Sequence, residues 1–163
     1  MDFYPWVVIA HVFFVVIAFG AHGTSAFAMF QAKRERDRAR LAAVLDLSSA
    51  SLAVAGIGLI LAVLLGIAAA VMGDHFSRLW PWASIVVVVV IFGVMTPIGA
   101  NPMSALRKTL GISSRADKKG ETPRAGTEAE VRAAQEALRP GLLATLGIVA
   151  LAILVWLMEL KPF

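Results

Sequence analysis

From Pro5 to Phe30 the chain reads PWVVIAHVFFVVIAFGAHGTSAFAMF, without one Asp, Glu, Lys or Arg. A helix crosses the hydrocarbon layer of a bilayer in about 20 residues, and in lipid a backbone can hide its polar groups only inside helices or closed barrels. This run is long enough to span as a helix. Three further charge-free runs follow, at 47–72, 80–100 and 141–158. The pattern predicts an all-α polytopic membrane protein, a four-helix antiparallel transmembrane bundle folded as a single domain over 1–163, with loops at 31–46 and 103–139.

Composition agrees. A chain that is 59% hydrophobic with mean hydropathy +0.79 carries more apolar residues than a soluble core can bury, so the excess must face lipid. There is no cysteine, which excludes disulfides, thiolate metal sites and thioether-linked haem. The net charge of +4 does not point to nucleic acid, because the basic residues cluster beside the spans, where orientation and anionic lipid account for them. No phosphate loop, nucleophile–base pairing or zinc-protease pattern is present, so hydrolysis and phosphoryl transfer have no support.

In chain order, KRERDRAR should end the first span. The second contains the ladder Gly58, Ala62, Gly66, Ala70, whose four-residue spacing lets another helix approach closely; Gly66 is expected at such a contact. The short connection GDHFSRLWPW should make the second and third helices neighbours. Thr96, Pro97 and Gly99 predict a kink near the end of the third span, which Asn101 and Pro102 should close. From Arg107 to about Gly126 the composition is that of a mobile loop. Thr127 and Glu130 then have capping-box spacing and should start a short helix with a solvated or headgroup-level face.

Thirteen of the fifteen Lys and Arg residues fall in two segments, five between the first two spans and eight between the last two. The positive-inside rule makes both segments cytoplasmic and puts both termini outside. Trp6, Trp80, Trp82 and Trp156, with Tyr4, then form a belt at the outer interface.

Ionisable residues inside a span are functional candidates, and the first span holds two, His11 and His22. They are eleven positions apart, so they share one helix face at levels separated by roughly 16 Å. One metal ion cannot bind both, since metal–imidazole bonds are about 2 Å. His75, in the outer turn, is the third histidine; with His11 it makes one bis-histidine site conceivable. Met72, His75, Met158 and His11 could gather at the outer face as a thioether and imidazole set suited to Cu(I). The competing reading is that His11 and His22 are packing glue, His22 hydrogen-bonding across to the second helix.

The run AHVFFVVIAFGAHG has a histidine early in the first span, a glycine nine residues later and a basic stretch beyond. It resembles a loose group of four- to five-helix bacterial membrane proteins, among them the copper-resistance D type, the haem-associated protoporphyrinogen oxidase J type, and predicted integral membrane proteins of about this size. His11 and Gly20 are the matching positions. The resemblance implies a bacterial inner-membrane bundle in which His11 is a ligand of haem b or copper. Two classes follow from residues and resemblance together: a redox or metal-handling membrane protein with cofactor-binding His11, His22 and His75, or a structural or assembly subunit without a cofactor. The partners expected are the lipid bilayer and a membrane protein or a second copy of the chain, not nucleic acid.

Overall fold

A computed structural model describes residues 3–113 and 123–162. Among these there is no strand. The chain forms α1 (Tyr4–Arg34), α2 (Arg38–Met72), a 3₁₀ turn at His75–Ser77, α3 (Trp80–Met95), a π-helical turn at Thr96–Ala100, α4 (Asn101–Thr109), α5 (Glu128–Glu136) and α6 (Pro140–Leu160). α3, the π turn and α4 run on as one rod, and four helices in all are long and apolar enough to cross a membrane. Large apolar side chains such as Phe13, Val16, Ile60, Val89 and Ile148 stand exposed around the bundle. Apolar exposure of that extent has a physical home only in lipid.

The helices outrun their apolar stretches. α1 continues through Lys33 and Arg34, and α2 starts at Arg38, so the expected loop at 31–46 shrinks to Glu35, Arg36 and Asp37. Cations at the end of α1 favour its negative C-terminal dipole, and the Asp37 side chain caps α2 by accepting from the Arg40 amide. The Glu35 carboxylate accepts from the amides of Arg36 and Asp37, which holds it below the usual glutamate range. Asn101 and Pro102 do not end the helix either; it runs on through Pro102, which donates no amide, directly after the π turn has shifted the hydrogen-bond register.

α1 and α2 form the most extensive helix pair. The Gly58–Ala70 ladder faces α1: a Cβ on Gly58 would lie 3.2 Å from the Ala18 nitrogen, and one on Gly66 would lie 2.9 Å from His11 Cε1. Gly66 is therefore at a close contact, as its spacing implied. α3 packs mainly along α6, and α2 and α3 make no extended contact although they are consecutive. The sequence reading made them neighbours. Turn length fixes only where two helices meet at their ends, and the small-residue ladder of α2 is taken by α1.

Residues at the two ends establish the antiparallel arrangement. At one end Tyr4 hydrogen-bonds to His75, and Lys161 lies over the Trp80 ring at 5.8 Å. Trp80 is thus buried against the turn and the C-terminal end, unlike exposed Trp6, Trp82 and Trp156, and does not join a lipid-facing belt. At the other end a core forms from Met29, Ala32, Leu41, Leu45, Met103, Leu106, Val131, Leu138 and Leu143. α5 docks on it through Val131 and Gln135, so only its remaining faces are solvated. Gln135 Nε2 donates to the carbonyls of Ala32 and Glu35, and Lys33 Nζ donates to that of Leu138, satisfying helix-end acceptors. Of the expected mobile loop, Gly126 donates its amide to the Thr109 carbonyl at 2.8 Å, while 114–122 lies outside the described residues.

Candidate functional site

The three histidines sit in three different settings. His11 donates from Nδ1 to the Ala62 carbonyl of α2 at 2.7 Å, and its ring rests on the space left by Gly66. A carbonyl only accepts, so Nδ1 carries the proton and Nε2 the lone pair. His75 pairs through Nε2 with the Tyr4 hydroxyl at 3.2 Å and leans on Trp80, with ring centroids 5.4 Å apart. Both helices measure the gap between these two sites. Tyr4 to His11 on α1, and Gly66 to Gly73 beside His75 on α2, are each seven residues, roughly 10 Å of rise. Two nitrogens on one ion stand about 4 Å apart at most, so His11 and His75 are not brought together as a ligand pair. Met72 is largely exposed and Met158 half-buried, and no three His, Asp or Glu side chains cluster to hold a metal among the described residues.

His22 is the histidine without a partner. Neither ring nitrogen makes a hydrogen bond among the described residues, and Nε2 is fully enclosed. Its expected bond across to α2 is absent; Ser25 and Ser48 make that contact instead, hydroxyl to hydroxyl at 2.7 Å. The Nε2 atom faces Gly147 of α6, where a Cβ would approach it to 3.2 Å and the Met95 methyl to 3.5 Å. A buried imidazole with no hydrogen bond costs free energy on the order of 1–3 kcal/mol.

His22 also lines a cavity of about 320 Å³, which lies between the α1–α2 hairpin and the α3–α6 pair, where α2 and α3 part. Leu52, Ala55, Gly56 and Leu59 of α2 face Val88, Ile91, Phe92 and Met95 of α3 across it. Among the described residues, the polar side chains in the lining are His22, Ser25 and Thr96. Two of these are satisfied, Ser25 by Ser48 and Thr96 by the Phe92 carbonyl at 2.9 Å. Among the described residues, no charged one lines it.

The floor of the cavity is the π turn. Pro97 removes one amide from the helix, and Asn101 donates to the Thr96 carbonyl five residues back, widening the helix by one residue without a break. The kink expected from Thr96, Pro97 and Gly99 takes this form. Thr96, Gly99 and Ala100 line the cavity, and Gly99 lets Leu143 approach, a Cβ there lying 3.1 Å from Leu143 Cδ1. Sequence reasoning missed Gly56, Gly99 and Gly147 as makers of this space. The available signal was that each is a glycine within a span and outside the ladder.

No family model, no curated protein and no solved structure matches the chain.

Proposed function

We propose that the protein is a membrane-embedded binding protein whose site is the crevice at His22, taking up a lipid-soluble molecule from the bilayer. The observation that carries this reading is the cavity of about 320 Å³ at span depth, uncharged throughout and containing the one imidazole without a hydrogen bond. Its size falls at the lower end of small-molecule sites, which are mostly apolar with a few orienting polar groups. We place the protein in a bacterial inner membrane, following the resemblance of its first span, with the basic end in the cytoplasm. Mass spectrometry of material extracted from the purified protein tests the reading. Gly56 lines the cavity and a Cβ there would meet nothing within 4 Å, whereas Gly93 is equally open but lies outside the lining. Gly56→Leu should abolish retention of an apolar molecule and Gly93→Leu should preserve it; equal retention by both variants rejects the reading.

A second reading, ligation of haem b or copper by His11 in a redox or metal-handling role, has one observation in its favour. Its Nδ1–H bond to the Ala62 carbonyl leaves Nε2 as the lone-pair nitrogen, the arrangement by which metal-bound histidines are oriented. Neither His75 nor a third His, Asp or Glu is placed to complete the set. Visible absorbance and metal analysis of wild type and His11→Ala separate the readings. A preparation that yields companion subunits, and neither cofactor nor apolar molecule, favours the assembly-subunit reading.

A further inference from the structure

The depth of His22 restricts the ligand further. It lies eight residues from Phe30, the inner limit of the apolar run, and seventeen from Pro5, which sets it roughly 12 Å and 25 Å from the two ends. A polar group meeting His22 must therefore be buried in hydrocarbon, where a charged headgroup is costly. A phospholipid keeps its phosphate at the interface and could send only an acyl chain here, which would leave His22 without a partner. A neutral group that gives or takes one hydrogen bond matches both the depth and the uncharged walls.

The walls also suit a flat ring. Phe19 and Phe92 line the cavity together with Met29, Met95 and Met103. Thioethers adapt to irregular shapes and make favourable contacts with rings, and aromatic faces stack. Access is lateral, because α2 and α3 flank the cavity without extended contact. A ligand arriving through that gap comes from the bilayer and need not shed water.

We propose, resting on the crevice reading above, that the ligand is a neutral ring-headed lipid of the quinone class, whose ring carbonyl or hydroxyl supplies the hydrogen bond that His22 lacks. The imidazole serves as either donor or acceptor, so it can meet the carbonyl of an oxidised ring or the hydroxyl of a reduced one. His22 Nε2 is enclosed against Gly147 and Met95, so the ligand's hydrogen bond is made at Nδ1, the ring nitrogen that is not enclosed, and the tail leaves between α2 and α3.

The test uses the full chain in nanodiscs with two probes, a benzoquinone carrying a ten-carbon alkyl tail and the same tail without the ring. Binding is read by equilibrium dialysis and by thermal stabilisation. Wild type should bind the quinone about tenfold or more tightly than the tail. His22→Leu should lower quinone affinity about tenfold, His22→Gln should keep most of it, and Gly56→Leu should lose both probes. Equal wild-type affinity for the two probes overturns the quinone proposal and leaves the crevice reading standing; binding of neither overturns both. The wild-type comparison decides the matter even if His22→Leu does not fold.

Discussion

The contact of His11 with Gly66 couples a polar side chain to a missing one. The ring reaches the Ala62 carbonyl only because residue 66 has no Cβ, which would stand 2.9 Å from Cε1 and 3.0 Å from Nδ1. Gly66→Leu should lower thermal stability in detergent by roughly 1–3 kcal/mol through overpacking; an unchanged melting temperature would remove this contact from the account. Truncating the ring tests the coupling itself. In a His11→Ala background Gly66→Ala should cost far less than it does alone, with an interaction energy of about 0.5–3 kcal/mol from the double-mutant cycle. Strict additivity would mean that the two residues do not meet. At this scale the sequence was partly legible. The i, i+4 spacing of Gly58, Ala62, Gly66 and Ala70 announced a close approach, but not that α1 makes it or that a histidine fills it. Nor could spacing show that Ser25, rather than His22, would bond to α2, because that depends on a rotation of α1 settled by the whole pair.

Among the elements, α5 is held by a local device that the sequence displayed in full. Thr127 accepts the Glu130 amide, and the Glu130 carboxylate accepts the Thr127 amide at 2.6 Å, so the capping box forms as its spacing required. Thr127→Ala should cost about 1 kcal/mol of local stability, read as faster amide exchange at Val131 and Gln135 with the spans unaffected. The Thr127 amide and then its hydroxyl, both donating to the carboxylate, pull the Glu130 carboxyl below the usual glutamate range. A carboxyl lowered by folding contributes stability that is present above its unfolded value, roughly 4.3, and disappears as the pH falls through the lowered one. Protection of α5 should therefore be flat at neutral pH and decline only on the acid side, and Glu130→Gln should reduce that decline; a loss of protection on raising the pH instead would contradict the assignment. What the sequence did not display was the docking. α5 looked solvated because Val131 and Gln135 are two residues among charges, and their partners, Leu41, Leu106 and the carbonyl ends of α1, come from distant parts of the chain. Helix ends were misjudged for a related reason. Lys33, Arg34 and Arg38 end an apolar run, but they do not end a helix whose last turn lies beyond the lipid.

For the whole molecule, four spans and an antiparallel bundle were legible from run length alone, because lipid leaves a long apolar segment so few alternatives. The crevice was not. It exists where two consecutive helices fail to pack, and no single span records that failure. The orientation rests on charge. Tyr4, His75, Trp80 and Lys161 assemble at one end, and Lys33, Arg38 and Arg107 lie at the other, Arg38 paired with Glu128 at 2.7 Å and Arg107 with Asp46 at 2.8 Å. Thirteen basic residues against two is the asymmetry from which the positive-inside rule predicts a cytoplasmic basic end. A reporter active only outside the membrane should therefore work when fused after Phe163, and one active only in the cytoplasm should work when inserted in the segment 114–122. Because Tyr4 and Lys161 lie at the same end, a cytoplasmic C-terminus would invert the entire bundle. It would carry His22 and the π turn from the inner half of the bilayer to the outer half, so that a ligand at the crevice would be drawn from the opposite leaflet.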